Sequence, residues 1–162
     1  MPKQEEFSQL LLAAVPKMLE LLQRYSGKKV NYLGIDCLDQ LPKQGSCWQT
    51  QLKGPIVGAS FLLIPQAWKQ VILAQAGAAV PAEMEEAFFL ELDNILSGNF
   101  LASFADHYEG VIYGLPPVFK DWKEISAESW SFRLSFSAAG IPKPVCIYWT
   151  VAGERLPKNR IK

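Results

Sequence analysis

Apolar positions recur at helical spacing across residues 5–25: Phe7, Leu10, Leu11, Ala14, Val15, Met18, Leu19 and Leu22. The pattern predicts an amphipathic helix that Ser26-Gly27 ends. Pro16 lies inside it and is expected to kink the helix near Leu12 or restart it, because proline removes a backbone donor and crowds the preceding turn. Strands are predicted over 28–39, 46–52 and 56–64, separated by turns at 41–45 and 53–55. The third strand is the most uniformly apolar, as in the centre of a sheet. Pro65 opens a short helix over 66–76, and 77–81 breaks the chain again. A long helix follows over 82–105, with Glu83, Glu85 and Glu86 at its start, where carboxylates suit the helix dipole. Three more strands are predicted over 110–119, 129–138 and 144–151. Residues 130–136 alternate cleanly, which predicts one buried and one solvated face.

The order is helix, three strands, short helix, long helix, three strands. Without βαβ alternation, it predicts an α+β fold with an antiparallel sheet of about six strands packed by helices. The helix-then-three-strands unit occurs twice, which points to a pseudo-duplicated architecture. The chain of 162 residues is long enough for a single domain with a real core, assigned to 1–152. Residues 153–162 form a basic, polar tail.

Composition narrows the function classes. Sixteen basic residues balance sixteen acidic ones, so charge supplies no reason to expect nucleic acid or an anionic membrane as partner. No apolar run approaches the ~18 residues of a spanning helix. The N-terminal sequence lacks the features of a signal peptide, and a cytoplasmic location is expected. Cys37, Cys47 and Cys146 are widely spaced, which suits reduced thiols. With a single histidine, His107, read as an ordinary residue after the long helix, no zinc set is expected.

The chemistry concentrates on the long helix. Glu91 and Asn94 lie roughly 60° apart on one face. Ala87, Gly98, Ala102 and Ala105 fall within about 60° of Glu91, whereas Phe88, Phe89, Leu92, Leu96 and Phe100 lie about 60° to 180° away on the other side. The latter are assigned to the core. Asp93 points about 200° from Glu91 and cannot join it without help from another element. A carboxylate and a carboxamide thus stand among side chains too small to hide them. Gly98 adds a cost of up to ~1 kcal/mol in helix stability, which a closely approaching partner would explain.

Glu91-x-x-Asn94 followed by Gly98-Asn99 resembles the signature helix of the CheC/CheX/FliY phosphatases of bacterial chemotaxis. The family pattern is Asp or Ser, three residues, Glu, two residues, Asn, twenty-two residues, Pro. Glu91, Asn94 and Pro117 match it, and Ala87 stands at the Asp or Ser place. The order of elements over residues 5–152 is also similar. The first helix offers only Glu20-x-x-Gln23, without a proline at the matching place. The resemblance is therefore to CheX, with one site, rather than to the two-site members.

The resemblance implies a phosphatase acting on the aspartyl phosphate of a CheY-type response regulator. Asn94 would orient the attacking water and Glu91 would pair with the receiver's lysine. Ala87, Gly98 and Ala102 would let the helix lie close to the partner. It implies no cofactor or metal of the protein's own, Mg2+ being held by the receiver, and it implies a homodimer. The alternative is a non-catalytic adaptor of the same fold that docks a receiver or a flagellar switch component.

Overall fold

A computed structural model describes residues 2–43, 45–54, 56–77, 80–106, 111–125 and 130–151. His107 and the tail at 153–162 lie outside the described residues. In chain order the elements are α1 (Pro2–Ser26), β1 (Val30–Leu38), β2 (Ser46–Lys53), β3 (Gly58–Leu63), α2 (Gln66–Ala76), α3 (Glu85–Ala105), β4 (Tyr113–Gly114), β5 (Val118–Asp121), β6 (Trp130–Ala138) and β7 (Val145–Val151). A single 3-10 turn, Ala82–Met84, leads into α3.

α1 is one continuous helix through Pro16, so the expected restart does not occur. Its apolar stripe is buried from Phe7 to Leu22, and this packing outweighs the one backbone bond that Pro16 forfeits. It ends at Gly27, whose φ of 65° is the left-handed value that glycine reaches without strain, and whose N–H donates to the Gln23 carbonyl.

The strands form one antiparallel sheet in the order β1-β6-β7-β3-β2-β4, with β5 also pairing β2. The first unit's strands are β1, β2 and β3, and the second unit's are the β4–β5 edge, β6 and β7. Reading the sheet from either edge meets equivalent strands in the same order, with β3 and β7 paired at the centre. Each unit's first strand pairs with the other unit's second strand. The duplication seen in the order of elements is therefore a two-fold arrangement with exchanged edge strands.

The sheet has seven strands rather than six, because the strand expected over 110–119 is divided. Leu52 lies opposite Gly114 and Gln49 opposite Val118, so three steps on β2 match four on the edge. Pro116 and Pro117 stand at this extra residue, where missing N–H groups are tolerated on an edge strand. A second irregularity falls on β1 between Tyr32 and Gly34, and it turns Leu33 out to solvent.

The helices cover one face of the sheet. Beneath them lie Trp48 and Leu52 of β2, Leu62 of β3, Phe132, Leu134 and Phe136 of β6, and Val145, Ile147 and Trp149 of β7. At the centre, Trp149 meets Phe100 at 4.9 Å and Phe104 at 5.4 Å between ring centroids, and Phe7 of α1 meets Phe104 at 5.9 Å. The opposite face holds a smaller apolar cluster built on Cys47, Phe61, Trp122, Cys146 and Tyr148.

The solvated face expected for β6 is only partly so. Ser131 and Ser135 are buried and Arg133 and Ser137 are half-buried. β6 runs between β1 and β7, and their side chains, including Cys146 beside Ser135, crowd its polar face.

Trp149→Ala should cost about 3–5 kcal/mol, read as a lower urea midpoint, because it empties the point where α1, α3 and the sheet meet. A cost below about 1 kcal/mol would mean that this contact is not central to the core.

Candidate functional site

α3 sorts its residues by angle. Phe89, Leu92, Leu96, Phe100 and Phe104 are buried, and Phe88 is half-buried against Tyr25 and Phe89. Ala87, Glu91, Asn94, Gly98, Ala102 and Ala105 are all exposed. They occupy an arc of about 80° centred near Gly98, opposite the buried stripe. α3 packs against α1 on one side and against β2 and β4 on the other, which leaves this arc facing outward.

Glu91 and Asn94 therefore stand on a convex helix surface. The neighbouring cleft, about 370 Å3, lies between the start of α3, α2 and β5, and is lined by Trp48, Lys69, Glu85, Glu86, Phe89 and Phe119. Neither Glu91 nor Asn94 lines it. A β-carbon built on Gly98 would meet nothing within 4 Å, so the intramolecular packing does not require glycine there. Asn99 is half-buried and donates through Nδ2 to the Ile95 carbonyl at 2.7 Å, which commits it to its own helix.

Pro117 is buried and Pro116 exposed. They follow β4, which runs beside α3. A β-carbon on Gly114 would come within 2.7 Å of Thr50 Cγ2 and 3.3 Å of Leu101 Cδ1. Glycine at 114 thus lets the edge strand lie close to α3.

The matching place on α1 is occupied otherwise. Glu20 pairs with Lys17 at 3.2 Å and with Arg24 at 2.9 Å. Gln23 Oε1 accepts from the Val30 N–H at 3.1 Å, which fastens the start of β1. The Gln23 carboxamide oxygen is thus engaged within its own fold.

Asp93 was not among the expected site residues, yet it lies directly beneath them. Its side chain turns into the core, 2% exposed, and accepts from Thr50 Oγ1 at 2.9 Å. A signal was available: Asp93 falls within the angular range of the Phe and Leu stripe, and Ser97 lies about 20° beyond Phe104 at its edge. Among the described residues no group of three His, Cys, Asp or Glu side chains converges as a metal set. No described helix is long and apolar enough to cross a membrane.

Solved structures with the same architecture are known. CheX from Desulfovibrio desulfuricans superposes with a TM-score of 0.72 at 11% identity, covering 88% of this chain and 99% of that one. CheX from Borrelia burgdorferi, in a complex with CheY, BeF3 and Mg2+, gives 0.64 at 18% identity, covering 90% and 97%. FliY from Thermotoga maritima gives 0.68 at 12% identity, covering 98% of each chain. The chain has the CheC/CheX fold. No protein-family model and no curated relative matches its sequence. On this fold Glu91, Asn94 and Gly98 stand on the exposed arc of α3.

Gly98→Ala should stabilise the free protein by about 0.5–1 kcal/mol, since the added methyl meets no neighbour and alanine favours the helix. An unchanged or lower urea midpoint would contradict this account of Gly98.

Proposed function

We propose that the protein is a phosphatase that accelerates loss of the aspartyl phosphate of a CheY-type response regulator. The observation that carries this reading is the joint exposure of Glu91 and Asn94, beside Gly98, on a convex helix of a CheC/CheX fold. Such a site suits insertion into another protein's phosphorylation pocket. The CheX of Borrelia burgdorferi, which shares the fold, forms a complex with CheY.

The chemistry asks little of the protein. A receiver supplies the aspartyl phosphate, its Mg2+ and a lysine. What slow self-hydrolysis lacks is an oriented water. The Asn94 carboxamide accepts from water through Oδ1 and donates to it through Nδ2–H, holding one lone pair toward phosphorus. In-line attack forms the new P–O bond as the bond to the aspartate oxygen breaks, releasing phosphate and restoring the carboxylate. Glu91 pairs with the receiver's lysine and seats the helix. Ala87, Gly98 and Ala102 let the two surfaces close. The reaction would take place in the cytoplasm, where phosphorylated receivers are found.

The homodimer is part of the same proposal. The β4–β5 edge exposes Tyr113, Leu115, Val118 and Phe119, and an open apolar edge strand favours association. Sedimentation should show a dimer that Val118→Lys combined with Phe119→Lys converts to monomer, and a monomeric unsubstituted protein would remove this part.

One observation favours a second reading. Ala87 supplies no polar group at the Asp or Ser place, so the same helix would also suit an adaptor that docks a receiver without hydrolysis. The decay of receivers phosphorylated with acetyl phosphate, with and without the protein, separates the two. Acceleration is expected, and Asn94→Ala should reduce it by about 100-fold with the fold intact. Gly98→Leu should weaken docking and raise KM more than it lowers kcat. Binding without acceleration of any receiver from the source organism would favour the adaptor.

A further inference from the structure

A buried polar chain lies under the exposed arc of α3. Thr50 Oγ1 on β2 donates to Asp93 Oδ2 at 2.9 Å, and Ser97 Oγ donates to Thr50 Oγ1 at 3.1 Å. Ser60 Oγ on β3 lies 3.5 Å from Ser97 Oγ. One helix and two strands are thereby joined inside an apolar layer. Apolar contact holds a helix on a sheet but is non-directional, whereas hydrogen bonds fix distance and angle. A carboxylate buried without a cation is costly, and a leucine would fill the same space more cheaply.

We infer that Asp93 is a positioning residue: its bond with Thr50 fixes the rotation of α3 about its axis, and with it the direction in which Glu91 and Asn94 leave the helix. Its effect on catalysis rests on the phosphatase reading, while the tether is a property of the free protein. A side-chain tip lies ~6 Å from a helix axis, so a rotation of ~20° displaces it by ~2 Å. A shift of that size is enough to misplace an attacking water.

The tether also responds to protons. Burial pushes the Asp93 carboxyl up to about 7, against the lowering effect of the bonds with Thr50 and Ser97. The groups facing it are hydroxyls: Thr50 of β2, Ser60 of β3 and Ser97 of α3 itself. α1 brings apolar side chains to this layer, among them Phe7, Leu11 and Met18. Cys47 of β2 is the titratable group that feels Asp93. Its thiol is pushed up to about 12, first by burial and then by the Asp93 charge. Because the folded value of Asp93 is raised, its contribution to stability is full below the unfolded value of about 4 and is lost as pH rises through about 7.

Asp93→Asn, Asp93→Leu and Thr50→Val separate positioning from bulk stability. Each is assayed on a CheY-type receiver phosphorylated with acetyl phosphate, across about pH 5 to 9, with kcat, KM and the urea midpoint measured. Asp93→Asn keeps an acceptor for Thr50, so kcat should stay within about threefold while its pH dependence near neutrality disappears. Asp93→Leu should be at least as stable as the unsubstituted protein at about pH 8, yet lose roughly 10- to 100-fold in kcat with KM little changed. Thr50→Val should fall in the same direction.

Full kcat in Asp93→Leu overturns the inference, as does a loss of kcat that merely follows stability across the three variants. The free protein supplies an independent readout. Backbone amide NMR signals of residues 91–98 should titrate together near neutral pH, and stop doing so in Asp93→Asn. If Thr50→Val and Asp93→Leu leave those signals where they stand in the unsubstituted protein, the tether is refuted whatever the receivers do. If both variants displace them together, and no receiver is hydrolysed by the unsubstituted protein, the tether stands and the phosphatase reading alone fails.

Discussion

The burial of α3 against the sheet is the constraint on which the rest of this structure depends. Phe89, Leu92, Leu96, Phe100 and Phe104 make one stripe, and Trp149, Phe132 and Phe7 complete the layer that receives it. So much apolar surface on one side decides which broad side of the helix faces the sheet, and leaves only the finer angle to the bond between Thr50 and Asp93. The opposite side is then committed to solvent, and whatever stands there is displayed. Glu91, Asn94 and Gly98 are displayed for this reason.

The sheet is built to receive that helix. Exchange of edge strands between the two units places β3 and β7 at the centre. These carry the apolar side chains Leu62, Ile147 and Trp149 under the helices. At the edge, Gly114 lets the short β4 strand approach α3, and Pro116-Pro117 shifts the pairing by one residue. The two-fold arrangement produces two equivalent helices with unequal fates. α1 spends Glu20 on Lys17 and Arg24 and Gln23 on the start of β1, whereas α3 leaves Glu91 and Asn94 open. A surface that acts on another protein needs polar groups not already engaged within its own fold.

Much of this was legible in the sequence, because period and position carry the information. The arc from Ala87 to Ala105 follows from counting residues around a helix, and the turns at Gly27 and Pro65 from backbone chemistry. The misreadings share a cause. The restart at Pro16, one of the two outcomes expected there, does not occur, because the packing of Phe7 to Leu22 that keeps α1 continuous is invisible locally. The polar face of β6 is crowded because its neighbours come from distant segments. The 110–119 stretch divides because its register is set by β2.

The sequence by itself determined which side of each helix is apolar, where the chain turns, and that a carboxylate and a carboxamide share a face with small residues. These are properties of nearest neighbours along the chain and of its helical and strand periods. Only the tertiary structure decided that the face is convex and open, that Gln23 is engaged while Asn94 is not, and that Asp93 is buried against Thr50 from a strand 43 residues earlier. Those outcomes depend on which surfaces meet. That is fixed by the packing of the whole layer and by no single segment.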